Sequence, residues 1–262
     1  MEKNEITLFC VNDGKNHKIE KGKSLKDLAD KCCKCVTDKK TGQKSDVLAA
    51  LVDNKLKELS FKPVNLHQVE FIGYNHPDGR RSYVRSLCFV LQNAVRELYP
   101  DKVLVIDHSL PSGLYCEIRE IGKTEDGRSK VYFVTDDEID SIREKMKEIV
   151  ARNLPFTKVK MFSEEAEKMF IENNQPQKAE LQKSLGTFIC SVYYLDRMAD
   201  TFHGPLIPST GYLKVFDISG MGNGFCLQSP MMTDFCKVMP MKRQGKIAAA
   251  LKAYSDSCSI IN

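Results

Sequence analysis

The chain has 262 residues, 42% of them hydrophobic and 28% charged, with 39 Lys+Arg against 35 Asp+Glu for a net charge of +4. That composition belongs to an ordinary folded protein and excludes collagen-like, disordered and disulfide-scaffold classes. A charge this small does not by itself argue for a nucleic-acid partner, and the length sets a prior of about two domains. There is no Trp, so an aromatic platform would have to draw on the 13 Phe and 9 Tyr. Apolar runs such as Leu87 to Leu91 fall far short of the roughly 18 to 20 residues that span a bilayer. The first residues carry no signal-peptide core. We therefore expect a cytoplasmic chain with no membrane segment, its ten cysteines held as thiols.

Glu5 to Val11 alternates apolar and polar residues as a half-buried strand does. Asn12-Asp13-Gly14 is a hairpin signal, with His17 to Glu20 as the return strand. Ser24 is a helix N-cap for a short helix beginning Leu25-Lys26-Asp27-Leu28-Ala29. Val47 to Val52 and Lys55 to Leu59 form a second hairpin about Asp53-Asn54, and Gln68 to Ile72 is a last strand. The order ββαβββ predicts a β-grasp arrangement for residues 1–72.

His76-Pro77-Asp78-Gly79 reads as an entry turn to a second domain, residues 73–230. Arg81 to Leu98 is a helix, with Val84, Leu87, Cys88, Leu91, Val95 and Leu98 on one face, ended by Tyr99-Pro100. Val103 to Asp107 and Leu114 to Arg119 read as strands, followed by a polar loop over Lys123 to Ser129. Asp136 to Asn153 is a helix with an acidic first turn. Phe156 to Met161 is a strand, Ser163 to Asn173 a helix, and Thr187 to Tyr194 and Leu213 to Ile218 are strands. Gly220 to Gly224 connects tightly into Phe225 to Leu227. Residues 231–262 form an extension that is helical from Met241. The pattern reaches Asn262 without a cap, which leads us to expect that the natural protein continues.

Residues 1–72 hold 14 Lys+Arg and 11 Asp+Glu, and residues 73–262 hold 25 and 24. Most of the basic excess is therefore in the first lobe. Gly22-Lys23-Ser24 resembles the end of a phosphate-binding loop, but the opening glycine of that pattern is replaced by His17. It reads as a turn and helix cap. Gly220-Met221-Gly222-Asn223-Gly224 joins two strands, where a dinucleotide fingerprint would have to open a helix. Cys32-Cys33-Lys34-Cys35 lacks a second cysteine pair or a matching histidine pair, and reads as thiols at a helix end. The five histidines show no i,i+4 pair, and no G-x-S-x-G elbow supports a serine triad.

Several stretches carry a family resemblance. Residues 5–72 resemble a TGS domain, the β-grasp module at the front of threonyl-tRNA synthetases. Residues 73 to about 230 resemble the editing domain of threonyl- and alanyl-tRNA synthetases. The matching stretches are Ser82-Tyr83-Val84-Arg85-Ser86, Ser112-Gly113-Leu114-Tyr115-Cys116, Asp136-Asp137-Glu138-Ile139, Lys178-Ala179-Glu180-Leu181, Asp200-Thr201-Phe202-His203-Gly204-Pro205 and Pro208-Ser209-Thr210-Gly211. The fold class that this implies is α+β, a small β-grasp domain followed by an editing-like domain and a C-terminal helical extension. The two domains in this order also resemble the front of bacterial uridine kinase-like proteins. On that resemblance the chain is the non-catalytic region of an enzyme that phosphorylates uridine or a similar nucleoside with ATP and magnesium, and its own C-terminal kinase domain is one partner.

The departures bear on chemistry. The family's editing motifs, His-x-x-x-His and Cys-x-x-x-His, fall on Arg85, Phe89, Phe202 and Leu206. A guanidinium neither ligates a metal nor acts as a base near neutral pH, and Phe and Leu offer no lone pair. No catalytic residue, metal or cofactor is therefore expected in this chain. What the resemblance leaves is a cleft with Arg81 and Arg85 one helical turn apart, Asp200 and His203 on the opposite wall, and Lys178 nearby. Two fates are open for Arg85: it binds an anion such as a nucleotide or tRNA phosphate, or it pairs with Asp200 and fills the vacated metal space. Three functions follow: a regulatory or ligand-binding region of a kinase, an editing hydrolase with a changed residue set, or a structural module that forms homo-oligomers.

Overall fold

In the computed structural model, which describes residues 4–120, 131–173, 175–241 and 253, the chain opens with β1 (Glu5–Cys10), β2 (Lys15–Glu20), α1 (Leu25–Cys32), β3 (Cys35–Thr37) and β4 (Lys44–Asp46). Then come β5 (Ala49–Val52), β6 (Lys55–Lys57), β7 (His67–Ile72), α2 (Pro77–Leu98), β8 (Lys102–Leu110), β9 (Gly113–Glu120) and β10 (Val131–Tyr132). The chain continues through α3 (Asp136–Ala151), β11 (Thr157–Phe162), α4 (Ser163–Glu172), α5 (Pro176–Ser184), β12 (Ile189–Leu195), β13 (Met198–Thr201), β14 (Asp217–Met221) and β15 (Gly224–Gln228). The class is mixed α+β. The described residues of 1–36, 46–89 and 153–212 make one compact unit, and those of 37–45, 90–152 and 213–262 a second.

The first unit carries a five-stranded sheet ordered β2-β1-β7-β5-β6. Its central strands β1 and β7 run parallel, with Leu8 opposite His67 and Cys10 opposite Val69. Alternation decides the buried face: Ile6, Leu8 and Cys10 of β1 pack with Val69 and Phe71 of β7 and with Leu25, Leu28 and Ala29 of α1. Ser24 caps α1, its hydroxyl accepting from the Asp27 N–H while Asp27 reaches back to the Ser24 N–H. Two further N–H groups of the first turn, on Leu25 and Lys26, are satisfied by the carbonyls of Phe61 and Leu59. Asp53 and Asn54 both have positive φ and form the two-residue turn between β5 and β6.

The same unit holds a three-stranded sheet, β11-β12-β13. Ala166 and Phe170 of α4 and Ala179 of α5 pack on Val192 and Ala199 of that sheet. The first half of α2 belongs here as well. Its buried set (Ser82, Tyr83, Ser86, Leu87, Phe89) is wider than a single stripe, as in a helix covered on more than one side.

In the second unit β9 is central. β8 pairs with its whole length along one edge, while β10 and β15 share the other. β8 bulges between Ile106 and His108. α3 buries Ile139, Ile142, Met146 and Ile149 at helical spacing and is capped by a Thr135/Glu138 box. Arg143 donates to Asp217 at 2.6 Å. Glu117, almost fully buried, accepts from Tyr115 and Arg119 at 3.0 Å each, the pairing that a buried carboxylate requires.

Several expectations need correction. His76–Gly79 is no separate turn, because α2 starts at Pro77, a first-turn position that proline suits. Leu213–Ile218 is strand only from Asp217, since a 3₁₀ turn at Thr210–Tyr212 leads in and Leu213 is buried on its own beyond it. Gly220 and Met221 lie within β14, leaving Gly222-Asn223 as the turn. α5, β13, β10 and the β3–β4 ribbon were not foreseen. The polar loop over Lys123–Ser129 lies outside the described residues, as does the expected helix from Met241 apart from Met241 and Ala253. Among the described residues, nine cysteines are free thiols.

Close approach rather than conformation fixes Gly79. A Cβ there would fall 2.0 Å from the Gly73 carbonyl oxygen, a backbone atom that cannot swing aside. Gly79→Ala is expected to destabilise the chain by about 1–3 kcal/mol. In urea unfolding this appears as a lower midpoint with an unchanged slope.

Candidate functional site

Arg85 projects from the first half of α2, half-buried, toward the segment after β13. Its Nε donates to the Pro205 carbonyl at 3.3 Å. Nη2 donates to the same carbonyl at 3.0 Å and to Ser82 Oγ at 3.1 Å. One residue on, Ser86 Oγ donates to the Ser82 carbonyl at 2.8 Å and accepts the Ile207 N–H at 3.0 Å. Gly204, just before these attachments, has φ +115 and lies so near that a Cβ would meet Arg85 Nη2 at 3.0 Å. A side chain there would be strained in backbone and crowded by the guanidinium.

Arg85 has no carboxylate in salt-bridge range among the described residues, so the expected alternative of an Arg85–Asp200 pair does not form. Asp200 takes Lys178 instead, with Nζ to Oδ2 at 2.5 Å, and accepts the Thr201 N–H at 2.7 Å. The aliphatic stem of Lys178 comes from α5, an element that the sequence reading did not see as a helix. Burial lowers the proton affinity of Arg85 from its ordinary value, opposed first by Tyr193 and more weakly by Asp78, while the neighbouring charge of Arg81 adds to the lowering. A guanidinium remains charged regardless. Nη1 keeps two N–H groups with no partner among the described residues.

The other changed positions form hydrocarbon packing. Phe89 is fully buried, its ring centre 5.1 Å from that of Phe202 and 6.0 Å from that of Phe156. Phe202 meets Tyr193 edge-on at 6.0 Å, and Leu206 is 2% exposed. Such aromatic contacts add about 0.5–1.5 kcal/mol each beyond area burial. Tyr193 stands directly opposite Asp200 in the β12–β13 pair, so their side chains leave the same sheet face. Its hydroxyl donates to Glu58 and lies 3.3 Å from the Gly204 carbonyl. Burial and the Glu58 carboxylate push that phenol well above its usual range.

The structure thus gathers Arg85, Phe89 and Phe202, places Leu206 in the core beside them, and sets Lys178 and Asp200 as a pair on the same unit. Two other expected members face solvent. Arg81 is exposed and engaged with Asp78. His203 is exposed, with its side chain in no hydrogen bond among the described residues. Tyr193, Glu58 and the Pro205 carbonyl were missed by sequence reasoning. Ser82 and Ser86 carried a usable signal, two small polar residues at i,i+4 flanking Arg85 and buried among the apolar residues of α2. At these four positions there is neither imidazole nor thiol to hold a metal or activate water. The chemistry on offer is anion capture by a fixed guanidinium. Gly22-Lys23-Ser24 offers none, because Ser24 is committed to Asp27 at both its hydroxyl and its N–H.

No helix among the described residues is long and apolar enough to cross a membrane. No family model matches the chain. It is similar to the threonine–tRNA ligase of Clostridium kluyveri, 28% identical over 218 residues, which cover 83% of this chain and 32% of that protein. It is likewise similar to the threonine–tRNA ligases of Rubrobacter xylanophilus (26% over 226 residues, 84% and 32%) and Acetivibrio thermocellus (27% over 219 residues, 83% and 32%). The chain therefore spans about a third of the length of the curated relatives it matches, and over that span it is similar to part of a threonyl-tRNA synthetase.

Proposed function

We propose that this chain is a tRNA-synthetase editing-like region that binds the phosphate-bearing end of a tRNA or a nucleotide without hydrolysing an ester. One observation supports the reading: Arg85 is held in place by the Pro205 carbonyl and Ser82, yet among the described residues Nη1 keeps two N–H donors without a partner and no carboxylate pairs with the cation. Each of these N–H groups can make a charge-assisted hydrogen bond to an oxygen of a phosphate or carboxylate. The similarity to threonine–tRNA ligases supports tRNA as the source of that anion. It also supports residues 1–72 as a TGS-like module and residues 73–230 as the editing-like one. The loss of hydrolysis rests on Phe89, Phe202 and Leu206 standing where the family's ligating and proton-transferring groups belong. The reading as the front region of a uridine kinase draws no support from the relatives named above. Cytoplasmic location and self-association stand as part of the same proposal.

Titration of unacylated tRNA and of uridine monophosphate against the wild-type chain and Arg85→Ala tests the binding. Loss of a charge-assisted hydrogen bond, about 1.5–3 kcal/mol, corresponds to roughly 10- to 100-fold weaker binding, and Arg85→Lys recovers only part of it. Equal binding by the alanine variant, or no binding of either ligand by the wild type, overturns the reading. Separately, charged tRNA incubated with the chain is expected to lose its amino acid no faster than in buffer. Faster release that is abolished in Asp200→Asn would restore the hydrolase.

A further inference from the structure

We propose that Cys10, Asp13 and Cys32 form a site for a thiophilic divalent cation of the zinc class. The ligating atoms of these three residues all lie within 4.8 Å of one another. They come from three places in the fold: the last residue of β1, the turn after it, and the last residue of α1. Cys10 Sγ and Cys32 Sγ are 3.8 Å apart. A tetrahedral centre with metal–sulfur bonds of about 2.3 Å places its two sulfurs about 3.8 Å from each other. A disulfide would need about 2.05 Å.

The donors are held by their surroundings. Asn12 grips β7 with both ends of its amide, accepting the Phe71 N–H at 2.7 Å and donating to the Phe71 carbonyl at 2.9 Å. That fixes the turn between Cys10 and Asp13, which the Gly14 N–H closes onto the Cys10 carbonyl at 2.9 Å. Cys32 Sγ rests against the Leu28 carbonyl at 3.2 Å. Asp13 is oriented by the Lys15 N–H at 3.1 Å and by His17 Nε2 at 2.7 Å. His17 is thus the outer partner of a ligating carboxylate, a role that tunes metal affinity. Cys10 is fully buried, Cys32 half-buried and Asp13 exposed. An ion can therefore enter from the Asp13 side, and a water completes four-coordination there.

A carboxylate converging on two thiols suits a cation better than a redox pair. On binding, each thiol gives its proton to solvent and its sulfur pair to the ion. No oxidant enters. The inference is independent of the reading given to Arg85.

The test uses the full chain, reduced, stripped with a chelator, and titrated with cobalt(II) followed by zinc(II). Expected are near-ultraviolet thiolate-to-cobalt charge-transfer bands that saturate at one cobalt per chain and vanish on adding zinc. Cys32→Ala and Cys10→Ala abolish them, Asp13→Asn weakens binding, and His17→Ala weakens it about 10- to 100-fold. Cys35→Ser, an exposed neighbour, leaves the titration unchanged. Circular dichroism confirms that the variants are folded; Cys32→Ala and Asp13→Asn, changed at half-buried and exposed positions, keep the test valid if Cys10→Ala unfolds. Absence of charge-transfer bands, or bands unaltered in Cys32→Ala, overturns the site. So does a Cys10–Cys32 disulfide in the aerated, metal-free chain that bound no cobalt when reduced.

Discussion

The carbonyl oxygen of Pro205 is the point on which the candidate site turns. It accepts two N–H groups of Arg85, and with the Ser86–Ile207 bond it stitches the stretch after β13 to the first half of α2. A cation bonded to neutral carbonyl and hydroxyl groups is positioned without being neutralised. Its charge remains available, while its geometry is set by backbone that cannot rotate away. That separates this arginine from those in the ion pairs Arg143–Asp217 and Arg81–Asp78, whose charge is largely answered within the chain.

The aromatic filling next to it has an energetic logic. Phe89, Phe156 and Phe202 occupy one another's surroundings, so space that a metal and its ligands would need holds dry ring contacts instead. Lone-pair donors buried without an ion would be left unsatisfied, at about 1–3 kcal/mol each; rings carry no such debt. Packing stands at three positions where the resemblance places ligating groups, while the Lys178–Asp200 pair keeps a polar contact on the same unit.

Local signals in the sequence were good guides to local structure. Asn12-Asp13-Gly14 marked the first hairpin, Ser24 the cap of α1 and Asp53-Asn54 the second hairpin, because each is a decision made by a few adjacent residues. α5 escaped because Ala179 and Gln182 are its only buried members whose side chains are described, too few to make an apolar stripe. Position by position, the resemblance singled out Arg85, Phe89, Phe202 and Leu206, but not what Arg85 would bond to. Its partner is a backbone oxygen 120 residues away, and a main-chain carbonyl leaves no mark in a sequence. The approach of Cys10 to Cys32 was hidden in the same way. The dense cluster at Cys32–Cys35 drew attention to spacing within itself, whereas the donors that meet are 22 residues apart and come from different elements.

Glu58 has a bearing on how such a gene can be rearranged. Its carboxylate receives both the Lys158 ammonium, at 2.8 Å, and the Tyr193 hydroxyl, so a residue of the first 72 supplies the counter-charge of one residue and the acceptor of another in the β11–β12 pair. A descendant that shed its opening 72 codons, or exchanged them for another small module, would inherit a buried phenol and a lysine that have lost their common anion. The leading segment is therefore a poor cassette for shuffling. Recombination at that boundary would be tolerated only where the incoming module presents a carboxylate at the place of Glu58, or where position 193 changes with it.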